Sequence, residues 1–528
     1  MLFGLVWFGA LDYRKLVLTD EGRYAEIPRE MVVSGDWVTP RLNDLKYFEK
    51  PPLQYWATAV TYLLFGEHHW TARLWTALTG FLGILVVGYT GRRLFGREAG
   101  LYAALICASA ALYGLMGNVN TLDMGVTFFM TLGICALLIA QQEDRPRWML
   151  LAWAALALAV LSKGLMGLVL PGAALFLYAL FNRDFKVWLR LQWRAGLGVF
   201  LLLTVPWFLL VMRANPEFFD FFFIHEHFER FTSKVHGRYQ PWHYFIPILL
   251  LGMLPWTLLM FDALRTSWRR GRSGGFSAAR FLLVWVGFIY VFFSLSDSKL
   301  PSYLLPMVPA LALLMGAHLA QIAPRRLFWL LTPMPLLLLA LLAFVPTLPG
   351  RQEAAIEQQL YAHYVPWLLV AGAVWLAATL SALHLLWRAR RTGGVLVLAI
   401  GSLLALQIAL AGYDELAPTR SAYRVAQAIR PYVKPQTAFY SIRMYEQALP
   451  FYLKRTQVLV QYDGEMAFGI QQEPQRALSS LAAFAATWQT QADALAIMPL
   501  AAWDEVRGLN LPLQEIYRDE LYVVVRKP

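Results

Sequence analysis

Long apolar runs recur along the whole chain and limit what it can fold into. A helix needs about 20 mostly apolar residues to cross a bilayer, and 58% of the 528 residues are hydrophobic while only 15% are charged. An average soluble domain carries about 25% charged residues. The pattern predicts a mainly α polytopic membrane protein with about thirteen spans, near 1–11, 72–91, 98–117, 121–141, 148–162, 164–181, 195–212, 242–264, 280–296, 303–322, 326–347, 366–387 and 394–412.

The first run, 1–11, is short for a span. Eleven helical residues rise about 16 Å, roughly half of the hydrocarbon core. We therefore expect that the first helix is truncated in this sequence, or that translation starts upstream. No small-residue cleavage site follows it, which argues against a signal peptide.

The loops between these runs alternate in charge. One set is short and almost purely basic, which is typical of cytoplasmic loops, and it lies near 92–97, 145–147, 183–194, 265–280, 325–326 and 388–391. The other set, which includes 12–71 and 213–241, is mixed in charge and is predicted to be external. This arrangement explains the net charge of +12 without nucleic-acid binding, which we do not expect.

The composition changes after residue 412, where the apolar runs stop. "TAFYSI", "TQVLVQY", "ALAIMP" and "ELYVVVRK" favour short strands, and "SAYRVAQAIRPY" and "PQRALSSLAAFAATW" favour helices. We predict a transmembrane domain over 1–412, with external loops 12–71 and 213–241, and a soluble α/β domain over 413–528. An odd number of spans would put that domain on the external side, the periplasm of a Gram-negative cell.

The first external loop is unusually rich in charged and aromatic residues. Thr19 or Asp20 is expected to cap a helix that runs to about Ser34, with Arg23 and Tyr24 one turn from Asp20. "KYFEKPPLQYW" favours a second helix that starts after a proline pair. We expect both helices to lie on the membrane surface. Two interpretations stay open: carboxylates that serve a site, or a capping Asp with Lys side chains that snorkel.

Other external segments bring further polar residues to the same layer. Asp123 begins a span, either as a cap or as a group that accepts a proton or binds a cation. His225 belongs to a His-x-His pattern that is a weak metal signal, because it lacks the i, i+4 spacing of helical ligands. Lys299 and Tyr303 lie beside the mouth of another span. Carboxylates suit a cationic substrate, and Lys and Arg suit phosphate.

At these residues the sequence resembles a known family. "TDEGRYAEIPREMVVSGDWVTPRLNDLKYFEKPPLQYW", "NTLDMG" and "KLPSYLLP" are similar to blocks of the bacterial 4-amino-4-deoxy-L-arabinose transferases. These are GT-C glycosyltransferases related to protein O-mannosyltransferases, and the resemblance covers essentially the whole chain. It implies transfer of aminoarabinose from undecaprenyl phosphate to lipid A phosphate in the inner membrane, with the active site in the periplasm, and hence polymyxin resistance.

The resemblance also implies roles for individual residues. Asp20 and Asp123 resemble the two catalytic carboxylates of the family. The residues implied near the carrier phosphate are Lys50, Arg230 and Tyr303, with Tyr47 in the same block. Glu49 and His225 resemble a pair that holds a metal, zinc, in this family. Two protein ligands are fewer than a zinc site takes, so no cofactor is expected to be required and a metal would be structural or adventitious.

A phosphate acceptor is already anionic and needs little deprotonation, so Asp20 and Asp123 are expected to bind the donor's ammonium or to orient the sugar. By resemblance, we expect a single displacement with inversion, catalysed by a monomer embedded in membrane lipid. The alternatives are another polyprenyl-phosphate sugar or a protein acceptor. A lipid-linked sugar transporter fits less well, because the sequence shows neither midplane charges nor internal repeats.

Overall fold

The computed structural model describes residues 2–17, 19–229, 240–270, 275–462 and 464–528, with side chains at all of these except 2, 227–229 and 269–270. The described chain forms two compact units. The first contains 1–11, 50–54 and 73–412, and the second contains 12–49, 55–72 and 413–528. The predicted division into two domains at residue 412 stays a prediction.

The part of the chain up to Gly412 is mainly helical. Its α-helices are, in order, α1 Leu2–Phe8, α2 Asp20–Ser34, α3 Leu53–Phe65, α4 His69–Phe95, α5 Arg97–Ser109, α6 Ala111–Met116, α7 Leu122–Glu143, α8 Pro146–Lys163, α9 Met166–Asn182, α10 Trp193–Ala214, α11 Phe245–Gly252, α12 Thr257–Arg270, α13 Ala278–Leu295, α14 Val308–Leu319, α15 Pro324–Leu331, α16 Pro333–Phe344, α17 Ala355–Trp387 and α18 Arg391–Gly412. A π-helix covers Asp220–Glu229, and a 3₁₀ helix covers Pro301–Met307.

Eight helical segments of the described residues are long and apolar enough to cross a membrane, or nine if one bent pair is counted as a span. The multi-pass membrane class is therefore confirmed, whereas the count of thirteen stays a prediction. The expected single helix over 242–264 is wrong. It is bent by 108° between the segments 242–252 and 257–268, where Pro255 lacks the N–H that a continuous helix needs.

Small and aromatic residues hold the bundle together. α7 packs along α8, and α17 along α18. Gly100 and Gly91 let α4 and α5 approach closely, since a Cβ on Gly100 would lie 2.4 Å from the Gly88 carbonyl oxygen. The short α1 is attached to α4 by the Trp7 indole, which donates to the Ala77 carbonyl oxygen at 2.8 Å.

The second unit combines the first loop with the C-terminal residues. Its further α-helices are α19 Ala417–Arg420, α20 Tyr423–Ile429, α21 Leu449–Leu453, α22 Ala467–Gln472, α23 Leu481–Thr490 and α24 Leu500–Arg507. Its strands are β1 Arg41–Leu42, β2 Leu45–Lys46, β3 Ala438–Ile442, β4 Val458–Val460, β5 Ala477–Leu478, β6 Ala494–Pro499, β7 Gln514–Arg518 and β8 Tyr522–Arg526. The predicted strands and the α/β class are confirmed.

The sheet has the order β5-β4-β3-β6-β8-β7. Its first four strands are parallel, while β8 runs antiparallel to β6 and β7 runs antiparallel to β8. Side chains alternate between the two faces, as strand geometry requires. On β6, Leu495 and Ile497 face one core while Ala496 and Met498 face the other.

Two helices of the first loop belong to the core on one face of this sheet. Ala25 of α2 and Tyr62 of α3 are buried there with residues of α20 and α21, and the Tyr62 hydroxyl donates to the Ala25 carbonyl oxygen at 3.1 Å. Residues 21–31 of α2 are buried, and the helix packs on β1 and α21. The expectation that α2 and α3 lie on the membrane surface stays a prediction.

Candidate active site

The helix α2 presents the first candidate residues. It begins at Asp20 and ends where Gly35 takes the left-handed conformation, φ 72°, and donates to the Met31 carbonyl oxygen. The predicted side-chain cap is wrong, since Thr19 makes no capping hydrogen bond and Asp20 is the first helical residue. Asp20 is 44% exposed, so its carboxylate is open to a ligand.

Arg23 is the centre of a buried polar group. Its Nε donates to the Gln447 Oε1 at 2.9 Å, a second nitrogen pairs with Glu465, and a third lies 3.7 Å from the Asp20 carboxylate. Its side chain is only 7% exposed. Burial lowers the pKa of Arg23, but the surrounding tyrosines and carboxylates outweigh burial and raise it well above its usual value. Arg23 therefore stays a cation.

Three tyrosines surround this guanidinium. Arg23 lies 5.8 Å from the centre of the Tyr24 ring and 5.7 Å from that of Tyr47, and Tyr24 stacks on Tyr55 at 6.2 Å. Burial raises the pKa of Tyr47 and of Tyr55, so both stay neutral hydroxyls. Neither of these two hydroxyls has a hydrogen-bond partner among the described residues, which makes them available to a polar ligand.

Carboxyl groups surround the Arg23 guanidinium. Burial raises the pKa of Glu465, Arg23 opposes that rise, and the nearby Glu49 and Asp20 add to it. Three carboxyl groups thus surround one guanidinium. We name the Arg23 cluster for its members Asp20, Arg23, Tyr24, Tyr47, Glu49, Tyr55, Gln447 and Glu465. Aromatic faces and carboxylates together suit an ammonium group on a ring-shaped ligand.

A tight turn at 446–448 holds Gln447 against α2. A Cβ on Gly22 would lie 2.5 Å from the Ala448 backbone nitrogen, so only glycine permits this approach. The buried Glu446 carboxylate accepts from the Tyr522 hydroxyl at 2.9 Å and from the Ala448 N–H at 3.2 Å. Burial raises the pKa of Glu446 to about 7, and these two hydrogen bonds limit the rise.

This pKa predicts a pH-dependent stability. The usual value is 4.5, so between that pH and about 7 the folded chain keeps a proton that the unfolded chain releases. The stabilisation is present below the unfolded pKa and is lost as the pH rises through 7, about 3 kcal/mol in all. We expect Tm in detergent to fall between pH 5 and pH 8. Glu446→Gln should flatten this slope, and the exposed control Glu505→Gln should not; an unchanged slope in Glu446→Gln would contradict the assignment.

In the first unit, Asp123 is the second residue of α7 and pairs with Lys163 at the end of α8. Each side chain is 14% exposed. Lys163 also lies 5.5 Å from the centre of the Tyr303 ring. The structure therefore brings two of the predicted residues, Asp123 and Tyr303, to the same lysine. Asp123 does not act as the N-cap of α7, which is Thr121.

Lys50 is the predicted phosphate ligand in the same unit. Its ammonium lies 3.3 Å from the Glu226 carboxylate, and the two side chains are 18% and 6% exposed. The ring of His225 stacks on Phe221 at 5.4 Å. Arg230, a further predicted phosphate ligand, lies outside the described residues.

The remaining predicted residues have simpler surroundings. Lys299 is buried, 4% exposed, and donates to the backbone carbonyl oxygens of Gln240 and Ser296. Those two bonds leave its ammonium one further donor.

Among the described residues, no three or more His, Cys, Asp and Glu side chains are grouped to hold a metal. The metal pair Glu49 and His225 stays a prediction, and no step proposed below depends on a metal.

Comparison with known proteins supports a single family. Residues 425–527 match the family model for the aminoarabinose transferase C-terminal domain, and residues 49–209 match that for dolichyl-phosphate-mannose-protein mannosyltransferase. The undecaprenyl phosphate-alpha-4-amino-4-deoxy-L-arabinose arabinosyl transferase of Pseudomonas aeruginosa UCBPP-PA14 is 35% identical over 394 residues, which cover 72% of this chain and 69% of that protein. The chain belongs to the aminoarabinose transferase family.

Two further comparisons define the extent of the match. The corresponding transferase 1 of Pseudomonas fluorescens Pf-5 is 34% identical, and the match covers 60% of this chain but only 58% of that relative. The crystal structure of ArnT from Cupriavidus metallidurans bound to undecaprenyl phosphate has a TM-score of 0.95 and 39% identity, covering 99% of this chain and 96% of that one. The predicted GT-C fold is confirmed.

Within this aminoarabinose transferase fold, sequence reasoning missed four residues that contact the predicted ones. Gln447 and Glu465 contact Arg23, Lys163 contacts Asp123, and Glu226 contacts Lys50. Lys163 carried a usable signal, since it is a lone lysine between two apolar runs. Gln447 and Glu465 carried none, because they are ordinary polar residues of a soluble segment. The catalytic and binding roles of all these residues stay predictions.

Proposed function

We propose that this protein transfers 4-amino-4-deoxy-L-arabinose from undecaprenyl phosphate to a phosphate of lipid A. Family membership supports the donor, and the observation that carries the sugar assignment is the Arg23 cluster. Its three carboxyl groups exceed its one guanidinium, and its tyrosine hydroxyls at 47 and 55 lack partners in the described chain. Carboxylates close to the sugar stabilise one that carries an ammonium group and give no such advantage to a neutral one.

The reaction is a substitution at the anomeric carbon. An oxygen of the acceptor phosphate forms the new bond to this carbon, the bond to the carrier phosphate oxygen breaks, and undecaprenyl phosphate leaves with the electron pair. No proton must move, because both phosphates are anions at neutral pH. Cations that take up charge on the leaving phosphate stabilise the transition state, and we assign this role to Lys50.

We further propose an inner-membrane protein that acts as a monomer, with its reaction on the periplasmic side. The alternation of basic and mixed loops supports this orientation. On the same side, Asp123 is proposed to orient the sugar while Lys163 holds the carboxylate in place.

The alternative is a neutral polyprenyl-phosphate sugar or a protein acceptor, as the mannosyltransferase match over 49–209 suggests. Mass spectrometry of lipid A from cells with and without the gene tests the acceptor, with Asp123→Asn as the inactive control. Purified protein offered synthetic donors that differ only in a 4-amino or a 4-hydroxyl group tests the sugar. Equal rates with both donors, or sugar on protein alone, would overturn the proposal.

Removal of the Lys50 charge should weaken the reaction strongly. A charge-assisted contact to phosphate contributes about 1.5–3 kcal/mol, so Lys50→Ala should lower kcat/KM about ten- to a hundredfold. Lys50→Arg should retain part of the activity, because the charge stays while the geometry changes. Transfer rates against donor concentration in detergent measure both variants.

The control for these variants is Lys434→Ala, which removes an exposed lysine of the C-terminal residues. It should leave the kinetics unchanged. Wild-type kinetics for Lys50→Ala would mean that Lys50 serves only to pair with Glu226 and to anchor the chain.

A further inference from the structure

A buried amide connects three separate segments of the first unit. The Gln54 side-chain nitrogen donates to the Asn120 Oδ1 at 3.0 Å and to the Thr76 hydroxyl at 3.3 Å. The Thr76 hydroxyl in turn lies 3.5 Å from the Thr121 carbonyl oxygen. Gln54 is 1% exposed, and Thr76 and Asn120 are fully buried. Both donors of the Gln54 amide are thus used in a region closed to water.

Two of the connected segments lie next to residues of the proposed reaction. Gln54 is the second residue of α3, four positions after Lys50. Asn120 and Thr121 immediately precede α7, whose second residue is Asp123. The Gln54 Oε1 also limits the space beside α7, since a Cβ on Gly125 would lie 3.4 Å from it. The amide therefore lies beside the start of α7.

We propose that Gln54 is a positioning residue that fixes Lys50 relative to Asp123 by holding the first turn of α3 to the start of α7; this inference rests on the proposed function. The physical reason is that both hydrogen-bonding groups are buried. If the bond between the Gln54 amide and the Asn120 oxygen breaks, no water molecule can take the place of either partner. Their hydrogen bond therefore has one favourable geometry, and it sets where both segments begin.

The test compares purified full-length Gln54→Met with Gln141→Met as a matched control. Gln141 is also a buried amide, 3% exposed, near the other end of α7, where it donates to the Val187 carbonyl oxygen at 2.9 Å. A displacement of about 1 Å can lower a rate by about a hundredfold. We expect Gln54→Met to lower kcat about ten- to a hundredfold with little change in the KM for the donor, and Gln141→Met to keep the wild-type kcat.

A second readout needs no substrate. Backbone amide exchange at 120–124 should be faster in Gln54→Met than in wild type and unchanged in Gln141→Met, at similar Tm. Thr76→Val, which keeps the side-chain shape, should change both readouts in the same direction by less, and it serves if Gln54→Met does not fold. Unchanged exchange, or a kcat within twofold of the control, would overturn the inference.

The two proposals fail in different ways. A wild-type chain that transfers a different polyprenyl-linked sugar would overturn the proposed donor, and the kcat comparison would then be made with that sugar. A chain without any transfer would remove the catalytic role, while the exchange measurement would still decide whether Gln54 holds the start of α7.

Discussion

Asp123→Asn is expected to lower kcat by at least about a hundredfold, the range that follows the loss of a preorganised charged group. The carboxylate is fixed by Lys163, and both side chains are 14% exposed. Asparagine keeps the size and one acceptor oxygen but removes the charge. The Lys163 ammonium, 5.5 Å from the centre of the Tyr303 ring, would then lose its counterion. Transfer from the lipid-linked donor in detergent, at saturating donor, measures the effect.

A double variant separates catalysis from simple charge neutralisation. Asp123→Asn with Lys163→Met removes both charges, so it should recover Tm lost by the single variant but not activity. Glu143→Gln, near the other end of α7 in the pair with Arg93, is the control and should transfer normally. Recovery of transfer in the double variant would show that Asp123 serves only to neutralise Lys163.

Asp20→Asn is expected to lower kcat/KM about ten- to a hundredfold for a donor that carries an ammonium group. Asp20 is more open than Glu465, 44% against 27% exposed, so its carboxylate can reach a ligand without leaving Arg23. A hydrogen bond between charged groups contributes about 1.5–3 kcal/mol, which corresponds to about ten- to a hundredfold. The loss should disappear with a donor that bears a 4-hydroxyl group, because that donor offers no charge to Asp20.

The control is Asp12→Asn, which changes a 64% exposed carboxylate and should leave both donors unaffected. Equal losses with the charged and the uncharged donor would mean that Asp20 supports α2 or Arg23 rather than the ammonium group. Tm distinguishes these two structural roles from a lost contact to the donor, since only the structural roles lower it.

Features that depend on the properties of neighbouring residues could be predicted from the sequence alone. Apolar runs of spanning length can only form helices in a bilayer, so the membrane class followed from residues such as those of α7 and α18. Gly35 ended α2 where expected, because a residue without Cβ adopts φ 72° at little cost. The strands β3 and β8 followed from short runs of β-branched and aromatic residues between turns. Long blocks around Asp20 and Lys50 also identified the family.

The contacts between side chains that are far apart in the chain could not be predicted and are seen only in the folded structure. Arg23 finds its partners 424 and 442 residues later, at Gln447 and Glu465, and the start of α3 finds Asn120 across 66 residues. No periodicity along the chain records such pairs, because they depend on how whole elements pack against each other. The burial of α2 has the same origin: β1 and α21 pack against it, and the pairing of Glu26 with Arg29 stabilises two of its charges in the buried position.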